Sequence, residues 1–457
     1  MTADDGASAR DAGRAARKSV PRSSHGEWSA ATERRDPVEL ITSQNATRVQ
    51  FLVPIRHWRM SQSPFAFYRG AAKVMAHDLA TTPSTGIDVQ ICGDAHLSNF
   101  GVYGSPERDL VFDLNDFDET LPGPWEWDVK RLAASFAIAA RHNEYSTRDE
   151  RDLAQRSVAA YRQAMHAFAS ARYLDVWYAH LDVDDVYDAF RDQLSKKERK
   201  HGEKFLRGAR SKNNLHAFDK LAEQTADGYR IASQPPLIVP LREIPHDEHP
   251  DAIAETIKGV FAAYLDSVPD HIGVLLRRYR YRDMALKVVG VGSVGTRCWI
   301  VLLEGRDEHD PFFLQIKEAD RSVLEDHLHD SNYFEHGRRV VEGQRLMQAA
   351  SDSFLGWHVG LDGTHYYWRQ FKDMKGSVEI DGATVRAARR YARLCGWTLA
   401  RAHARSGDPA TIAGYLGTGD NFDRAIAEFS VAHADQNERD YDAFMQAIDS
   451  GRIDAHE

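Results

Sequence analysis

Residues 91–120 read ICGDAHLSNFGVYGSPERDLVFDLNDFDET. Asp94, His96 and Asn99 fall in one turn, and Glu107, Asp109, Asp113, Asp116, Asp118 and Glu119 follow. Apolar VQIC before the turn and LVFDL after it frame a loop between strand-like pieces. Phosphoryl transfer needs one carboxylate to orient or deprotonate the attacking group, and further oxygen ligands for magnesium. Asp94 suits the first role. Asn99, five residues on, and Asp116, 22 residues on, suit the second.

A second pattern lies far downstream, where Gly290-Val-Gly292-Ser293-Val-Gly295 forms G-x-G-x-x-G. In a dinucleotide-binding unit the third glycine opens a helix. Here it is followed by strand-like TRCWIVLLEG, which suits a glycine flap covering a nucleotide triphosphate. Such a flap requires a lysine on the next strand and a helical Glu to hold it. FFLQIKEA supplies Lys317, and VVEGQRLMQ supplies Glu342, with Glu335 in reserve. Taken singly, Lys317 reads as a strand-edge lysine and Glu342 as an exposed helical residue. The order of flap, strand, lysine and helix is what gives them weight.

The chain has 457 residues, 42% of them hydrophobic, which is enough for a large core. Its mean hydropathy is −0.52. No apolar run approaches the roughly 18 residues of a membrane helix, so no membrane partner is expected. A net charge of −10 argues against general nucleic-acid binding. Three scattered cysteines (Cys92, Cys298, Cys395) point to a reducing cytoplasm without a disulfide framework. Residues 1–36 lack an apolar secretory segment and read as a disordered tail.

From residue 37 the pattern is helical, apart from the acidic segment, to about residue 275. Residues 276–375 are rich in β-branched and aromatic positions broken by tight turns, and 376–457 are helical again. The expected architecture is α+β. A large, mainly helical lobe combines 37–275 with 376–457, and a small antiparallel-sheet lobe lies between them. The basic run 196–213 reads as a solvated helix face or loop, or as a neighbour of bound phosphate.

GDAHLSNFG resembles the catalytic loop of the aminoglycoside phosphotransferase and choline kinase branch of the protein-kinase-like superfamily. LNDFDE is similar to that branch's metal-binding motif, and GPWEWDVKRLA to the segment after it. The resemblance implies Asp94 as catalytic base, His96 shaping the loop, Asn99 and Asp116 as magnesium ligands and Asp128 as a structural Asp. It implies ATP and magnesium as cofactors and an acceptor, small molecule or protein, as substrate. Cys92 stands where the branch usually has His. The flap and lysine follow the catalytic loop instead of preceding it, which a circular permutation of a two-lobed kinase-like fold would explain. GWTLARAHARSG then resembles the helix that leads into the loop, with its end near the strand before Asp94, and YYWRQFKDMKG would be the hinge. Over roughly residues 37–450 the chain is also similar to a bacterial family known as domain of unknown function 2252. LVPIRHWRMSQSPFAFYRGAA, CGDAHLSNFG, FDLNDFDET, PWEWDVKRLAAS and VEGQRLMQAASDSFLGW carry that likeness.

Other readings compete. A two-metal phosphoesterase would use Asp94, His96, Asp116 and Asp118. A nucleotide-binding module without catalysis, or a nucleotidyl transferase, would use the same parts. Asp326, His327, His329 and Asp330 read as a solvated stretch, because residues two apart on a helix diverge. Arg69 reads as structural on its amphipathic helix. Arg56 and Arg59 read either as contacts for an anionic substrate or as partners of the acidic loop.

Overall fold

The computed structural model describes residues 3–192, 194–226, 228–244, 250–288, 290–371 and 373–457. Helices α1 (Ala3–Ser19), α2 (Pro37–Gln44), α3 (Val53–Met60), α4 (Pro64–Gly70) and α5 (Ala72–Leu79) come first. Strands β1 (Asp88–Ile91), β2 (Phe100–Gly104), β3 (Leu110–Leu114) and β4 (Leu121–Pro124) frame the acidic segment. The long helices α6 (Trp125–His142) and α7 (Thr147–Phe168) follow, then α8 (Tyr173–Tyr178), β5 (Leu181–Asp182), α9 (Val183–Arg191), α10 (Lys196–Arg210) and α11 (Asn214–Leu221). Next are β6 (Ala222–Thr225), β7 (Gly228–Ile231), β8 (Ile238–Pro240), α12 (Pro250–Leu265) and α13 (Asp270–Leu276). Strands β9 (Arg280–Lys287), β10 (Cys298–Glu304) and β11 (Pro311–Glu318) precede α14 (His336–Met347), β12 (Gly356–Val359), β13 (His365–Gln370) and β14 (Gly376–Ser377). Helices α15 (Val385–Ser406), α16 (Pro409–Leu416) and α17 (Asn421–Asp449) end the chain.

The fold is mixed α+β, and its paired strands are antiparallel. The largest sheet has the order β12-β13-β11-β10-β9-β8. Val301, Leu303, Leu314 and Trp368 on one face pack on Tyr264 and Leu276 of α12 and α13. Ile300, Leu302 and Phe313 on the other face pack on Leu221 and Ile231. With both faces covered, every residue of β11 is buried, the polar Gln315, Lys317 and Glu318 included. The β8–β9 pairing and the α11–α13 packing begin the sheet unit near residue 214, earlier than the expected boundary at 276.

The helical core is built on α6, α7, α15 and α17, with Trp125 stacked on Tyr161 at 5.6 Å. β14 pairs with β2, so the chain returns from the sheet to the helical unit at Gly376. α15 ends beside β1, where Ser406 Oγ accepts from the Gln90 amide at 3.2 Å. This is the proximity expected of GWTLARAHARSG. The basic run is helix α10, opened by a Ser195–Glu198 capping box and anchored by Leu206 and Ala209. No helix among the described residues is long and apolar enough to cross a membrane. Cys92, Cys298 and Cys395 are free and buried.

The expected disordered tail is instead ordered over its described residues. Its alanines favour the α1 helix, and arginines dock that helix on α16. Arg17 donates to the carbonyls of Tyr415, at 2.9 Å, and Gly414, while Arg22 reaches that of Leu416 at 2.5 Å. These are the carbonyls that a helix C-terminus leaves unsatisfied. His25 then bonds the Tyr415 hydroxyl at 2.7 Å and packs edge-on to Phe422.

Burial, helped by the nearby Lys130 charge, lowers the His25 pKa from 6.5 to about 3. Between those values the unfolded chain takes up a proton that the folded chain refuses, so stability falls as pH falls through 6.5. Urea denaturation should show His25 contributing a loss on the order of 2 kcal/mol between about pH 7.5 and about pH 5. His25→Gln, which keeps a partner for Tyr415 but does not titrate, should remove that part of the slope.

Candidate functional site

Asp128 opens α6 and fixes the acidic turn from beneath. Its carboxylate accepts the amides of Cys92 at 2.7 Å and Gly93 at 2.9 Å, and His403 of α15 lies 3.2 Å away. Gly93 has φ +80°, and a Cβ there would lie 2.5 Å from the Glu119 carbonyl oxygen, so glycine alone fits. The Asn99 side chain donates to the Asp94 carbonyl at 2.6 Å, and the Asn115 amide to the Asn99 carbonyl at 2.8 Å. The second contact brings Asp116 beside the turn.

One oxygen of Asp94 accepts two bonds from Arg131, at 2.9 Å from Nε and 2.6 Å from Nη2. Arg131 also donates to the Tyr68 carbonyl and lies 3.9 Å over the Tyr68 ring. The other oxygen of Asp94 is 3.8 Å from His96 Nε2. Burial raises the Asp94 pKa, against the pull of Arg131. Burial and the charges of Arg69 and Arg131 hold His96 neutral, well below its usual value.

Lys317 on β11 is 3% exposed and points at the second acidic run. Its Nζ is 2.5 Å from Asp118 Oδ2 and 3.8 Å from Asp116 Oδ1. Tyr367, paired with Lys317 across β13, donates to the other Asp118 oxygen at 2.6 Å. Burial works against ionised Asp118, but Lys317 and Tyr367 outweigh it and hold the pKa low. Burial and the Asp118 charge push Asp116 upward, and its buried Oδ1 has no hydrogen-bond partner. Glu119 accepts from Ser322 and Val323, yet burial lifts it to about 7.

Glu342 does not hold Lys317. It bonds Arg345 at 3.1 Å, and Asp118 takes the expected place. Arg339 and Gly343, four apart on α14, form the face turned to the acidic segment. Arg339 donates to the carbonyls of Asp118 and Thr120, and Gly343 lies against Thr120. Glu342 stands one position off that face. Glu335 is the N-cap of α14.

The glycine loop lies between β9 and β10, as expected, and the segment before α4 clamps it to the helical unit. The Val49 amide donates to the Gly295 carbonyl at 2.8 Å, Arg48 to that of Val294 at 2.5 Å, and Arg59 to that of Gly290 at 2.5 Å. Val294 is buried among Leu52, Ile55 and Val288. At Gly292 a Cβ would lie 3.2 Å from the Arg69 carbonyl oxygen, a tight approach. Arg56 is internal, bonded to Gln44, Asn45 and the Gly70 carbonyl.

Two cavities open on these groups. One, of about 340 Å³, is lined by Asp94, His96, Asn99, Asp118 and Glu119. The other, of about 900 Å³, is lined by Asn115, Gln315, Lys317, Phe371, Arg369 and Lys375, whose pKa burial and the Arg369 charge push down to about 7. Arg69, Asp116, Gly290 and Ser293 line both. The structure thus brings together the glycine loop, Ser293, Lys317, Asp94, His96, Asn99 and Asp116, and leaves Glu342 outside.

Magnesium typically uses one or two protein carboxylates or amides together with substrate phosphates. Asp116, with its orphaned buried oxygen, and Asn99 fit that requirement. Among the described residues no group of three or more His, Cys, Asp or Glu is arranged to hold a metal ion, as a two-metal hydrolase would need. The His327 region is likewise no metal site, and Arg321 pairs with Asp326 and Asp330.

Sequence reasoning missed Arg131, Tyr367, Arg369 and Lys375. Arg131 had a signal, because it lies three residues after Asp128 on one helix face. Tyr367 and Arg369 alternate on β13, and only the register against Lys317 and Gln315 turns them toward the site.

The profile of a bacterial family described as "Uncharacterized protein conserved in bacteria (DUF2252)" matches residues 48–447, and the chain belongs to that family. No curated protein and no solved structure matches it.

Asp128→Ala removes the acceptor for two loop amides and the partner of buried His403. It should cost about 2–4 kcal/mol in urea denaturation. A cost below about 1 kcal/mol would show that the turn stands without Asp128.

Proposed function

We propose that this member of a family whose description names no activity is an ATP- and magnesium-dependent phosphotransferase of kinase-like construction. The observation that carries the reading is the meeting of the two cavities. Lys317 lines one cavity and Asp94 and Asn99 the other, while Asp116 and, from about two hundred residues further on, Gly290 and Ser293 line both. The sheet unit supports it: the glycine loop joins its first two long strands, the lysine is on the third, and a helix follows. The end of α15 beside β1 supports the permuted chain order.

In this reading the larger cavity takes the nucleotide, with its phosphates beneath Gly290 and Ser293, while Gly292 lines the smaller cavity and Gly295 lines neither. Lys317 faces the phosphates and is held by Asp118 instead of a helical Glu. Asn99 and Asp116 would hold magnesium, which neutralises phosphate charge when bound. The smaller cavity takes the acceptor. Asp94 receives the acceptor proton as the new oxygen–phosphorus bond forms and the terminal phosphate separates from ADP. Arg131 fixes one Asp94 oxygen, leaving the other to face the acceptor.

Calorimetric titration of ATP, with and without magnesium, tests this directly. Magnesium-dependent binding should weaken about tenfold or more in Asp116→Ala and in Lys317→Ala, a loss of at least about 1.4 kcal/mol. Absence of ATP binding under both conditions would end the proposal. Asp94→Asn should leave ATP affinity within about twofold while ADP formation falls by about 10²–10⁴-fold. ADP as product, not pyrophosphate, separates phosphoryl from nucleotidyl transfer, and binding without any product would indicate a non-catalytic module.

A further inference from the structure

We propose that Arg69 is a catalytic residue that contacts the phosphoryl group in transfer. The proposal rests on the phosphotransfer reading above and adds to it the cation that meets the transferred group. Of the four residues lining both cavities (Arg69, Asp116, Gly290 and Ser293), Arg69 is the cation. A phosphoryl group passing from nucleotide to acceptor must cross that junction.

The neighbouring arginines all have partners. Arg48 and Arg59 bond glycine-loop carbonyls, Arg56 bonds the Gly70 carbonyl, and Arg131 bonds Asp94. Arg69 makes no side-chain hydrogen bond or ion pair with any described residue; its Nε is buried without a partner, as are those of Arg48 and Arg56, but those two arginines are engaged through their Nη groups. A guanidinium offers five donors in a fixed fork that matches phosphate oxygens. The Nη donors of Arg69 are not buried and have no acceptor among the described residues, so at the lining of both cavities they are open to a ligand that supplies one. Lys317 lines only the larger cavity and does not reach the smaller one.

The position is also rigid. Arg69 lies in the last turn of α4, whose N-cap Ser63 accepts from Ala66, and its own carbonyl sits beneath Gly292. The loop that would cover the phosphates therefore rests on the residue that would touch them. As the phosphorus leaves the ADP oxygen and bonds the acceptor oxygen, charge spreads over its three other oxygens. Arg69 meets that charge, while the acceptor proton goes to Asp94.

The test uses the full-length protein, with separate calorimetric titrations of magnesium–ATP and magnesium–ADP. Arg69→Gln should weaken ATP about tenfold and ADP less than about twofold, because ADP lacks the group that Arg69 contacts. Arg69→Lys, which keeps the charge but not the fork, should recover part of the ATP affinity. Equal losses for both nucleotides, or no loss for either, would overturn the assignment. So would a glutamine variant that melts well below wild type, since partnerless donors add nothing to folding. Wild type that binds neither nucleotide would instead remove the phosphotransfer reading itself, before any variant is compared.

Discussion

A lysine buried in the middle of a sheet is tolerable only with an anion delivered to it, and much of this structure serves that delivery. Lys317 has apolar strands on both sides, and its charge finds Asp118, 199 positions earlier in the chain. Breaking such a pair by removing one partner strands the other charge away from water. The pair therefore docks the six-stranded sheet against the acidic segment, and Tyr367 adds a second bond from the same sheet face. Arg339 repeats the principle with uncharged partners, joining α14 to the carbonyls on either side of Glu119.

The glycine loop is fixed by different means. A flap that only covers phosphates needs freedom, but here Arg48, Val49 and Arg59 bond three of its carbonyls and Val294 is buried beneath it. The clamp comes from residues before the acidic turn, so the helical unit holds both the loop and the carboxylates. Their spacing then follows from one packed body, and the order in which the chain visits them does not matter to the site.

The sequence made legible the features with a local physical signature. The turn Gly93-Asp94 with Asn99 announces itself by glycine and carboxylates, the flap by its spacing, and Lys317 by its place in an apolar strand. Features that depend on register or docking were not legible. Glu342 satisfied the spacing of a lysine partner, but α14 is rotated so that Arg339 and Gly343 face the site. Asp118 was visible only as one acid among several. The first residues looked too polar and too alanine-rich to order, because the carbonyls that bind Arg17 and Arg22 belong to α16, nearly four hundred residues on. Arg69 looked structural because an amphipathic pattern reports which face is buried, not whether a guanidinium there has partners.

The geometry around Asp94 bears on the chemistry it is suited to. Two bonds from an arginine favour the ionised form of a carboxylate, but at Asp94 burial outweighs that pull and leaves the pKa raised. Phosphoryl transfer through a loose transition state asks little of a base, because the attacking oxygen is barely bonded when the barrier is crossed. In the proposed reaction orientation would matter more, and Arg131 pins one oxygen of Asp94 while Tyr68 braces the guanidinium. Burial pushes the Asp94 pKa up and Arg131 pulls it down. The balance lies on the raised side, which in the proposed reaction would suit Asp94 to take the acceptor proton.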